Sequence, residues 1–333
     1  MATSLPIWNY FLEVLMNYKH LFGPVISRRL GISLGVDVVP YKYCTMDCVY
    51  CEVGKTTHLI NQAEELVNLT DVIKELDDYI AKNPKLDYVT FSGAGEPLLY
   101  SKIGDLINYI KDKYPQYKLA LITNSSLINR KDIRSDLLKL DMIMPSLDAV
   151  DQDIFAAINR PHDDILIKDI IHDLIDFNQD FPGEMWLEIF FVPDLNDSQE
   201  ELVRMSQVIK EINPERVQLN ALDRPGTEAW VIQEDKEKLE NIKNFFEAEL
   251  PSKILVEIIK KVDKKKYDEN PQSSEIEDKI LSTIVRRPCT AQDLSQMLSV
   301  HINAINKVLH KLIEENKIHG VQQERGIFYK LLD

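Results

Sequence analysis

Six short apolar runs alternate with amphipathic stretches, and this alternation constrains the fold more than any other feature of the chain. Each run is rich in Val, Ile, Leu and Phe, which is typical of strands buried on both faces of a parallel sheet. The pattern therefore predicts successive βαβ units, arranged as a partial (β/α)6 TIM-type barrel or as an open doubly wound sheet. The predicted strands are 33–39, 87–93, 118–124, 141–147, 185–192 and 216–222, and the predicted helices are 69–82, 102–113, 131–139, 166–178, 198–212 and 234–249.

The sequence on either side of this region predicts three further segments. Residues 1–21 have apolar residues at helical spacing and form an N-terminal helical extension to a barrel over 22–262. A charged linker, 263–274, separates the barrel from the last segment, 275–333. That segment has the pattern of three helices and a hairpin turning near residues 324–326, which predicts a small C-terminal winged-helix domain, a relative of helix-turn-helix.

Polar or glycine-rich clusters follow the predicted strands, one after another. Three cysteines follow the first strand, "SGAGEP" the second, "TNSS" the third and "SLDA" the fourth. Because ligands of parallel α/β folds collect at the carboxyl ends of the strands, we expect these clusters to lie together at one end of the barrel.

The cysteines, Cys44, Cys48 and Cys51, form a CxxxCxxC loop in a chain with four cysteines in all. Tightly spaced thiols in an intracellular protein usually bind zinc or an iron–sulfur cluster. Structural zinc requires four protein ligands, and His58 is near enough in sequence to be the fourth. A [4Fe–4S] cluster has four irons, so three cysteines leave one iron open to an exogenous ligand. The fourth cysteine, Cys289, lies far away and is expected to be a small core residue.

Tyr50, directly before the last cysteine, completes a pattern that resembles the signature of the radical SAM superfamily. The "GAGEP" turn resembles the superfamily's GGE-type motif. "SLDA", "INRPH", "LEIFFVPDLND" and "NALDRPGTE" resemble the branch related to tRNA wyosine synthases, and the similarity covers roughly residues 20 to 230. Archaeal wyosine synthases carry further cysteines for a second cluster. This chain has none, so the resemblance extends to the radical SAM core and not to wyosine chemistry.

The resemblance implies two cofactors, a [4Fe–4S] cluster and S-adenosylmethionine (SAM), and a 5′-deoxyadenosyl radical that abstracts hydrogen from a substrate. Cys44, Cys48 and Cys51 are then the metal ligands, and the turn containing Gly93, Gly95 and Glu96 binds the methionine amino group. Tyr50 contacts adenine through its backbone or packs beside the cluster. Four further candidates could bind the ribose or the methionine carboxylate, or serve as caps and turn residues: Asn124, Ser125, Ser146 and Asp148.

Three residues are candidates for catalysis. Glu188 interrupts an apolar strand, where a carboxylate is costly to bury without a partner, so we expect it to point into the barrel. Arg160 and His162, in "INRPHDD", could bind an anionic group or move a proton. Arg28 and Arg29 could bind a phosphate or carboxylate or form a structural salt bridge, and Arg224 could also face the site.

Charge and hydropathy narrow the classes of partner. The net charge is −15, which disfavours attraction of the whole molecule to nucleic acid or anionic membrane. No apolar run is long enough to cross a bilayer, and the cysteine usage favours a cytoplasmic location. Residues 272–333 contain eight Lys or Arg and eight Asp or Glu, so this segment is not a basic footprint.

The sequence therefore predicts a radical SAM enzyme with an unidentified peptide, protein or RNA substrate that the winged helix recruits. A reductant such as ferredoxin or flavodoxin would supply its electron. The alternative is a zinc-stabilised winged-helix protein that binds nucleic acid or protein without catalysis. The set of polar clusters at the strand ends favours the enzyme, because a zinc-stabilised binder does not need them.

Overall fold

The computed structural model describes residues 18–27, 29–259, 273–298, 300–323 and 325–332. It shows a mixed α/β fold followed by a small C-terminal unit. The strands are β1 (Leu21–Ser27), β2 (Gly31–Val36), β3 (Tyr43–Cys44), β4 (His58–Leu59), β5 (Tyr88–Phe91), β6 (Lys118–Thr123), β7 (Met142–Pro145), β8 (Glu184–Phe191), β9 (Arg216–Ala221), β10 (Leu255–Ile258), β11 (Cys289–Thr290), β12 (Ile318–Gln323) and β13 (Gly326–Leu331). The helices are α1 (Leu69–Ile80), α2 (Ile103–Lys113), α3 (Arg134–Leu137), α4 (Gln152–Asn159), α5 (Ile167–Asp180), α6 (Gln199–Ile212), α7 (Lys236–Glu249), α8 (Ser273–Ile284), α9 (Ala291–Leu298) and α10 (Ile302–Glu314), with a 3-10 turn at Pro97–Leu99.

The main sheet has eight strands in the order β1-β2-β5-β6-β7-β8-β9-β10. All neighbours pair in parallel except β1, which is antiparallel to β2. The strands follow one another in chain order, without the reversal that a doubly wound sheet has. Of the two architectures that the sequence allowed, the structure thus supports the partial barrel. Within the described residues the sheet does not close into a full barrel.

All six predicted strands and all six predicted helices are confirmed, with ends shifted by a few residues. Strands β1, β3, β4, β10 and β11 and helix α4 were not predicted. Of the predicted N-terminal extension, residues 1–17 lie outside the described residues, and Leu21 begins β1. Most of the predicted linker also lies outside them, and residues 273–274 are already part of α8.

The helices are fixed locally by side-chain caps and globally by an apolar face. Asn68, Asp151, Ser198 and Asp235 each accept backbone N–H groups at the start of α1, α4, α6 and α7. Each cap contributes about 1 kcal/mol. The helices pack on the outer face of the sheet, and this layer forms the main core.

The inner face of the sheet leads to the candidate site. Side chains alternate along a strand, so Trp186, Glu188 and Phe190 of β8 all point to the inner face. Trp186 packs there with Leu30 and Met144 in a separate apolar cluster. Glu188 and Phe190 are farther along the strand, towards the carboxyl ends.

The C-terminal unit contains α8, α9, α10 and an antiparallel sheet in the order β11-β13-β12. Thr290 and Asp293 form a reciprocal cap at the start of α9, with both N–H···O distances at 3.1 Å. The unit has its own apolar core, and Val25 of β1 packs into it. The three helices and the hairpin match the predicted pattern, and the winged-helix assignment stays a prediction. Among the described helices, none is both long and apolar enough to cross a membrane.

Candidate cofactor and substrate site

The cysteine loop follows β2 at the carboxyl end of the sheet, and its three thiols are free of disulfides. The loop is shaped by the β3–β4 pairing and by hydrogen bonds to the segment after α4. Each sulfur has an N–H donor from another part of the chain. The pairs are Lys42 Nζ and Cys51 Sγ at 3.1 Å, Asn124 Nδ2 and Cys44 Sγ at 3.5 Å, and Asn159 Nδ2 and Cys48 Sγ at 3.5 Å.

Electrostatics around the loop favour bound positive charge. Burial raises the pKa of Cys44 to about 11, and burial together with its neighbouring thiols raises the pKa of Cys48. Lys42 is only 3% exposed. Burial alone would lower its pKa, but the thiolates of Cys51, Cys44 and Cys48 outweigh it, so the pKa of Lys42 is raised. A metal centre is what converts such buried thiols to thiolates.

The geometry gives no support to His58 as a fourth ligand. Its ring stacks on that of Tyr43, with centroids 4.1 Å apart, and the residue is exposed. Its Nδ1 lies 3.1 Å from Thr57 Oγ1. Among the residues that the structure describes, no group of three or more His, Cys, Asp or Glu side chains is arranged to hold a single metal ion.

The turn after β5 packs tightly under the cysteine loop. A Cβ atom on Gly95 would lie 1.9 Å from the carbonyl oxygen of Tyr43, and one on Gly93 would lie 2.0 Å from Asp37 Oδ1. Both glycines are therefore required by the close approach of protein atoms. The Ala94 N–H donates to Asp37 Oδ2 at 3.2 Å.

Glu96 ties this turn to the end of β6. Its carboxylate accepts hydrogen bonds from Thr123 Oγ1 at 2.7 Å and from the Asn124 N–H at 2.8 Å, and a third from the Leu98 N–H at 3.0 Å. Burial raises the pKa of Glu96 to about 7. Its side chain thus positions Asn124, which in turn donates to Cys44.

Asp148, after β7, positions neighbouring groups through hydrogen bonds, as Glu96 does after β5. It accepts hydrogen bonds from the Tyr50 hydroxyl at 2.5 Å, from Asn159 Nδ2 at 2.7 Å and from the Phe190 N–H at 2.9 Å. Burial raises its pKa to about 6. The Tyr50 ring also stacks on Phe190 with centroids 3.8 Å apart. These contacts hold the cysteine loop against β8.

Ser125 and Ser146 meet in the same layer, since the Ser125 hydroxyl donates to the Ser146 carbonyl oxygen at 2.7 Å. Ser125 is fully buried and has a φ of 73°, in the left-handed region. All eight candidates for SAM binding therefore lie at one end of the sheet. Their individual roles towards a cofactor stay predictions.

A cavity of about 380 Å³ lies inside the open sheet, and Tyr50, Cys51, Gly93 and Glu188 are among its lining residues. Glu188 forms an ion pair with Arg29 and accepts a hydrogen bond from Asn220 Nδ2 at 3.3 Å. The expectation that Glu188 points into the barrel agrees with this placement. Of the two arginines before β2, Arg28 lies outside the described residues, and Arg29 forms a salt bridge, which was one of the two predicted roles.

The structure does not bring Arg160 and His162 together with Glu188. Both lie in the segment after α4, which is hydrogen-bonded to the cysteine loop. The Asp47 N–H donates to the Arg160 carbonyl oxygen at 3.1 Å. The His162 N–H donates to the Thr45 carbonyl oxygen at 2.9 Å. Neither lines the cavity. The Arg160 side chain forms an ion pair with Glu228 at 2.5 Å.

Sequence reasoning missed four residues that shape this site. Lys42 could have been predicted from sequence, because it places a cation two positions before the first cysteine. Asn159 ends a helix that was not predicted. Arg286 and Arg287 of the C-terminal unit also line the cavity, and nothing in their local sequence indicates it.

Comparison with known proteins identifies relatives of the chain. The family model of the radical SAM superfamily matches residues 38–206, which include the cysteine loop and strands β5 to β8. A UPF0026 protein of Methanocaldococcus jannaschii is 31% identical over 310 residues, covering 92% of this chain and 94% of that protein.

Two other matches cover less of the related protein. A protein of Brachyspira hyodysenteriae named GTPase Obg is 35% identical over 300 residues, which are 90% of this chain but only 43% of that protein. A crystal structure of a radical SAM methyltransferase from Sphaerobacter thermophilus superposes with a TM-score of 0.53 at 15% identity. The match covers 68% of this chain and 66% of that one, and it shows a shared fold.

Proposed function

Since the chain belongs to the radical SAM superfamily and to the UPF0026 proteins, we propose that it cleaves SAM at a [4Fe–4S] cluster bound by Cys44, Cys48 and Cys51. Members of the superfamily use both cofactors. Bound by these cysteines, the cluster would supply one electron for cleavage of SAM to methionine and a 5′-deoxyadenosyl radical, and the radical would abstract hydrogen from the substrate. We further propose that a ferredoxin or flavodoxin is the reductant.

The observation that carries this proposal is the donor set of the cysteine loop. Three free thiols lie at the carboxyl ends of a parallel sheet, and Lys42, Asn124 and Asn159 each direct an N–H group at one sulfur. Such donors stabilise thiolate ligands and tune a cluster. The exposed His58 ring stacks on that of Tyr43, so the structure does not favour it as a fourth protein ligand.

The chain's own residues would hold and orient the cofactor. The side chains of Glu96 and Asp148 already accept three hydrogen bonds each from the protein. We therefore expect them to act as positioning residues, which fix the turn at Gly93 and the ring of Tyr50. Backbone groups of that turn, rather than these carboxylates, would then meet the methionine amino group.

The cavity inside the sheet is the proposed reaction chamber. It adjoins Cys51, and the stacked rings of Tyr50 and Phe190 form part of its wall. Excluding water protects a reactive intermediate, which is the protein's main contribution in cofactor chemistry of this kind. Glu188 is held in the chamber by Arg29 and Asn220, and it stays the leading candidate for contact with the substrate.

Anaerobic reconstitution with iron and sulfide tests the proposal. We expect a brown protein with about four irons per chain, and substantially less iron in each of the Cys44→Ala, Cys48→Ala and Cys51→Ala variants. A colourless protein that binds one zinc through the same residues would overturn the enzyme assignment and favour the zinc-stabilised binding protein.

A further inference from the structure

The C-terminal unit spans the open side of the sheet and forms one wall of the cavity. Helices α8 and α9 pack on β1, which is one edge of the sheet. At the other side, the Arg325 guanidinium donates to the carbonyl oxygen of Asp223, just after β9, at 2.9 Å. Arg286, Arg287 and Met297 of this unit line the cavity together with barrel residues. The chamber is therefore built by both parts of the chain.

Most charged groups around the cavity are paired. Four arginines near the cavity each have at least one carboxylate partner, which compensates their charge within the protein. The pairs are Arg29 with Glu188, Arg286 with Asp37, Arg224 with Glu52, and Arg325 with Asp223 and Asp293.

Arg287 is the exception among the cavity arginines that the structure describes, because it forms no salt bridge there. Its Nη2 donates to the thioether of Met297 at 3.4 Å, and a thioether is a weak acceptor. Burial, and after it the positive charge of Arg224, lowers the pKa of Arg287. A guanidinium stays protonated at physiological pH, so the charge persists. Glu52 and Asp293 act on this charge from a distance, but they form their salt bridges with Arg224 and Arg325.

Arg224 has a buried donor without an acceptor. Its side chain is 6% exposed, and its Nη1 donates to Glu52 Oε2 at 2.9 Å. Its Nε, however, is buried and has no acceptor in the protein. A buried N–H group without a partner costs about 1–3 kcal/mol, and more when the group is charged. Two guanidiniums thus line one cavity: Arg287 has no salt bridge among the described residues, and Arg224 has a buried N–H group without an acceptor in the protein.

We propose that Arg287 and Arg224 bind an anionic group of the substrate, a carboxylate or a phosphate, and that the C-terminal unit thereby takes part in substrate recognition. This inference rests on the proposed function. Guanidinium donors match the planar or tetrahedral oxygens of such groups. The cavity of about 380 Å³ has the size of a small-molecule site.

Sheet order separates this anion site from most of the predicted SAM contacts. Seven of the eight follow β5, β6 and β7, whereas Arg224 follows β9, two strands farther along the sheet. Tyr50 and Gly93 line the same cavity as the two arginines. Arg287 comes from the part of the lining that the C-terminal unit contributes. The methionine carboxylate of SAM is the other possible source of the anion, so the experiment must measure both ligands.

The test is calorimetric titration of the cluster-loaded full-length chain with inorganic phosphate and, separately, with SAM. Arg287→Gln should weaken phosphate binding by about tenfold or more, the loss expected for a charge-assisted hydrogen bond. SAM affinity should not change. Lys307→Gln removes an exposed cation of the same unit and should leave both affinities unchanged.

A second variant is expected to strengthen phosphate binding. Glu52→Gln removes the carboxylate that competes for Arg224, so phosphate should bind more tightly than to the wild type. This expectation holds even if Arg287→Gln fails to fold.

Four results would overturn the inference: no phosphate binding by the wild type, equal phosphate affinity in Arg287→Gln, unchanged or weaker affinity in Glu52→Gln, or a parallel loss of SAM affinity in Arg287→Gln. The last would assign the anion to SAM instead. Failure of the proposed function is separable, because it would appear as a wild type without iron, whatever the phosphate titration shows.

Discussion

The ion pair between Arg286 and Asp37 joins the C-terminal unit to the sheet, and we expect Arg286→Met to destabilise the protein in a pH-dependent manner. Both side chains are buried, at 8% and 7% exposure, with Nε and Oδ2 2.9 Å apart. Methionine keeps much of the packing over the Phe22 ring, where the guanidinium now lies 4.4 Å from the centroid. It leaves Asp37 with the Ala94 N–H as its remaining donor from the turn.

The structure bounds the size of the effect. Removing one partner of a buried ion pair costs about 3–5 kcal/mol. Asp37 can escape part of that cost by taking up a proton, and protonating an ordinary carboxyl at pH 7 costs about 4 kcal/mol. We therefore expect a loss of about 2–4 kcal/mol in the free energy of unfolding at pH 7.

The sign of the pH dependence follows from the pKa of Asp37. Burial raises this pKa above its ordinary value even though Arg286 opposes the rise. Without Arg286 the pKa rises further. A carboxyl with a raised folded-state pKa stabilises the fold below that pKa and loses this contribution as the pH rises through it. The difference between wild type and variant should therefore widen as the pH rises through the interval between their two folded-state pKa values of Asp37, by at most about 1.4 kcal/mol per pH unit.

Urea unfolding of the anaerobic, cluster-loaded protein at several pH values measures this difference. Lys74→Met is a matched control, because the Lys74–Asp71 pair is 71% and 59% exposed and should contribute less than about 1 kcal/mol. Adding Asp37→Asn to Arg286→Met removes the unpaired carboxylate and should recover much of the lost free energy of unfolding. A loss below about 1 kcal/mol, or one independent of pH, would refute the reasoning.

Three further predictions concern the cysteine loop. Lys42→Met should make the reduction potential of the cluster more negative in a spectroscopic redox titration, because a buried positive charge beside the sulfurs favours the reduced state; an unchanged potential would contradict this role. Gly95→Ala should lower the iron content and cost about 1–3 kcal/mol in unfolding free energy, because the added Cβ meets backbone; normal iron content would contradict the packing argument. Cys48→Ala should abolish SAM cleavage while Cys289→Ala, in the core of the C-terminal unit, should leave it intact when 5′-deoxyadenosine is quantified; loss in both variants would make Cys289 a ligand.

The parts of the fold predicted from sequence are those with a strong local signal. The six central strands are continuous apolar runs buried on both faces, and the helices between them have one apolar face. By contrast, β1 contains Gly23 and Pro24 and contacts the C-terminal unit, so its extended form depends on partners distant in sequence. Strand β10 has only four residues, and Leu255 is exposed.

The candidate site divides in the same way. The position of the cysteine loop and of the clusters at the strand ends was predictable, because each directly follows a strand with a strong apolar signal. Sequence did not reveal that Glu96 and Asp148 serve the protein's own hydrogen bonds, since that depends on which donors the fold brings near. Arg287 lies more than two hundred residues from the cysteine loop, and only tertiary packing brings it to the cavity.

The central claim is that this chain cleaves SAM reductively at the cysteine loop. The most direct measurement is chromatographic quantification of 5′-deoxyadenosine after the reconstituted protein is incubated anaerobically with SAM and dithionite. We predict that 5′-deoxyadenosine forms with the wild type and not with Cys48→Ala. A wild-type protein that carries its iron, binds SAM and leaves it intact under these conditions would contradict the claim.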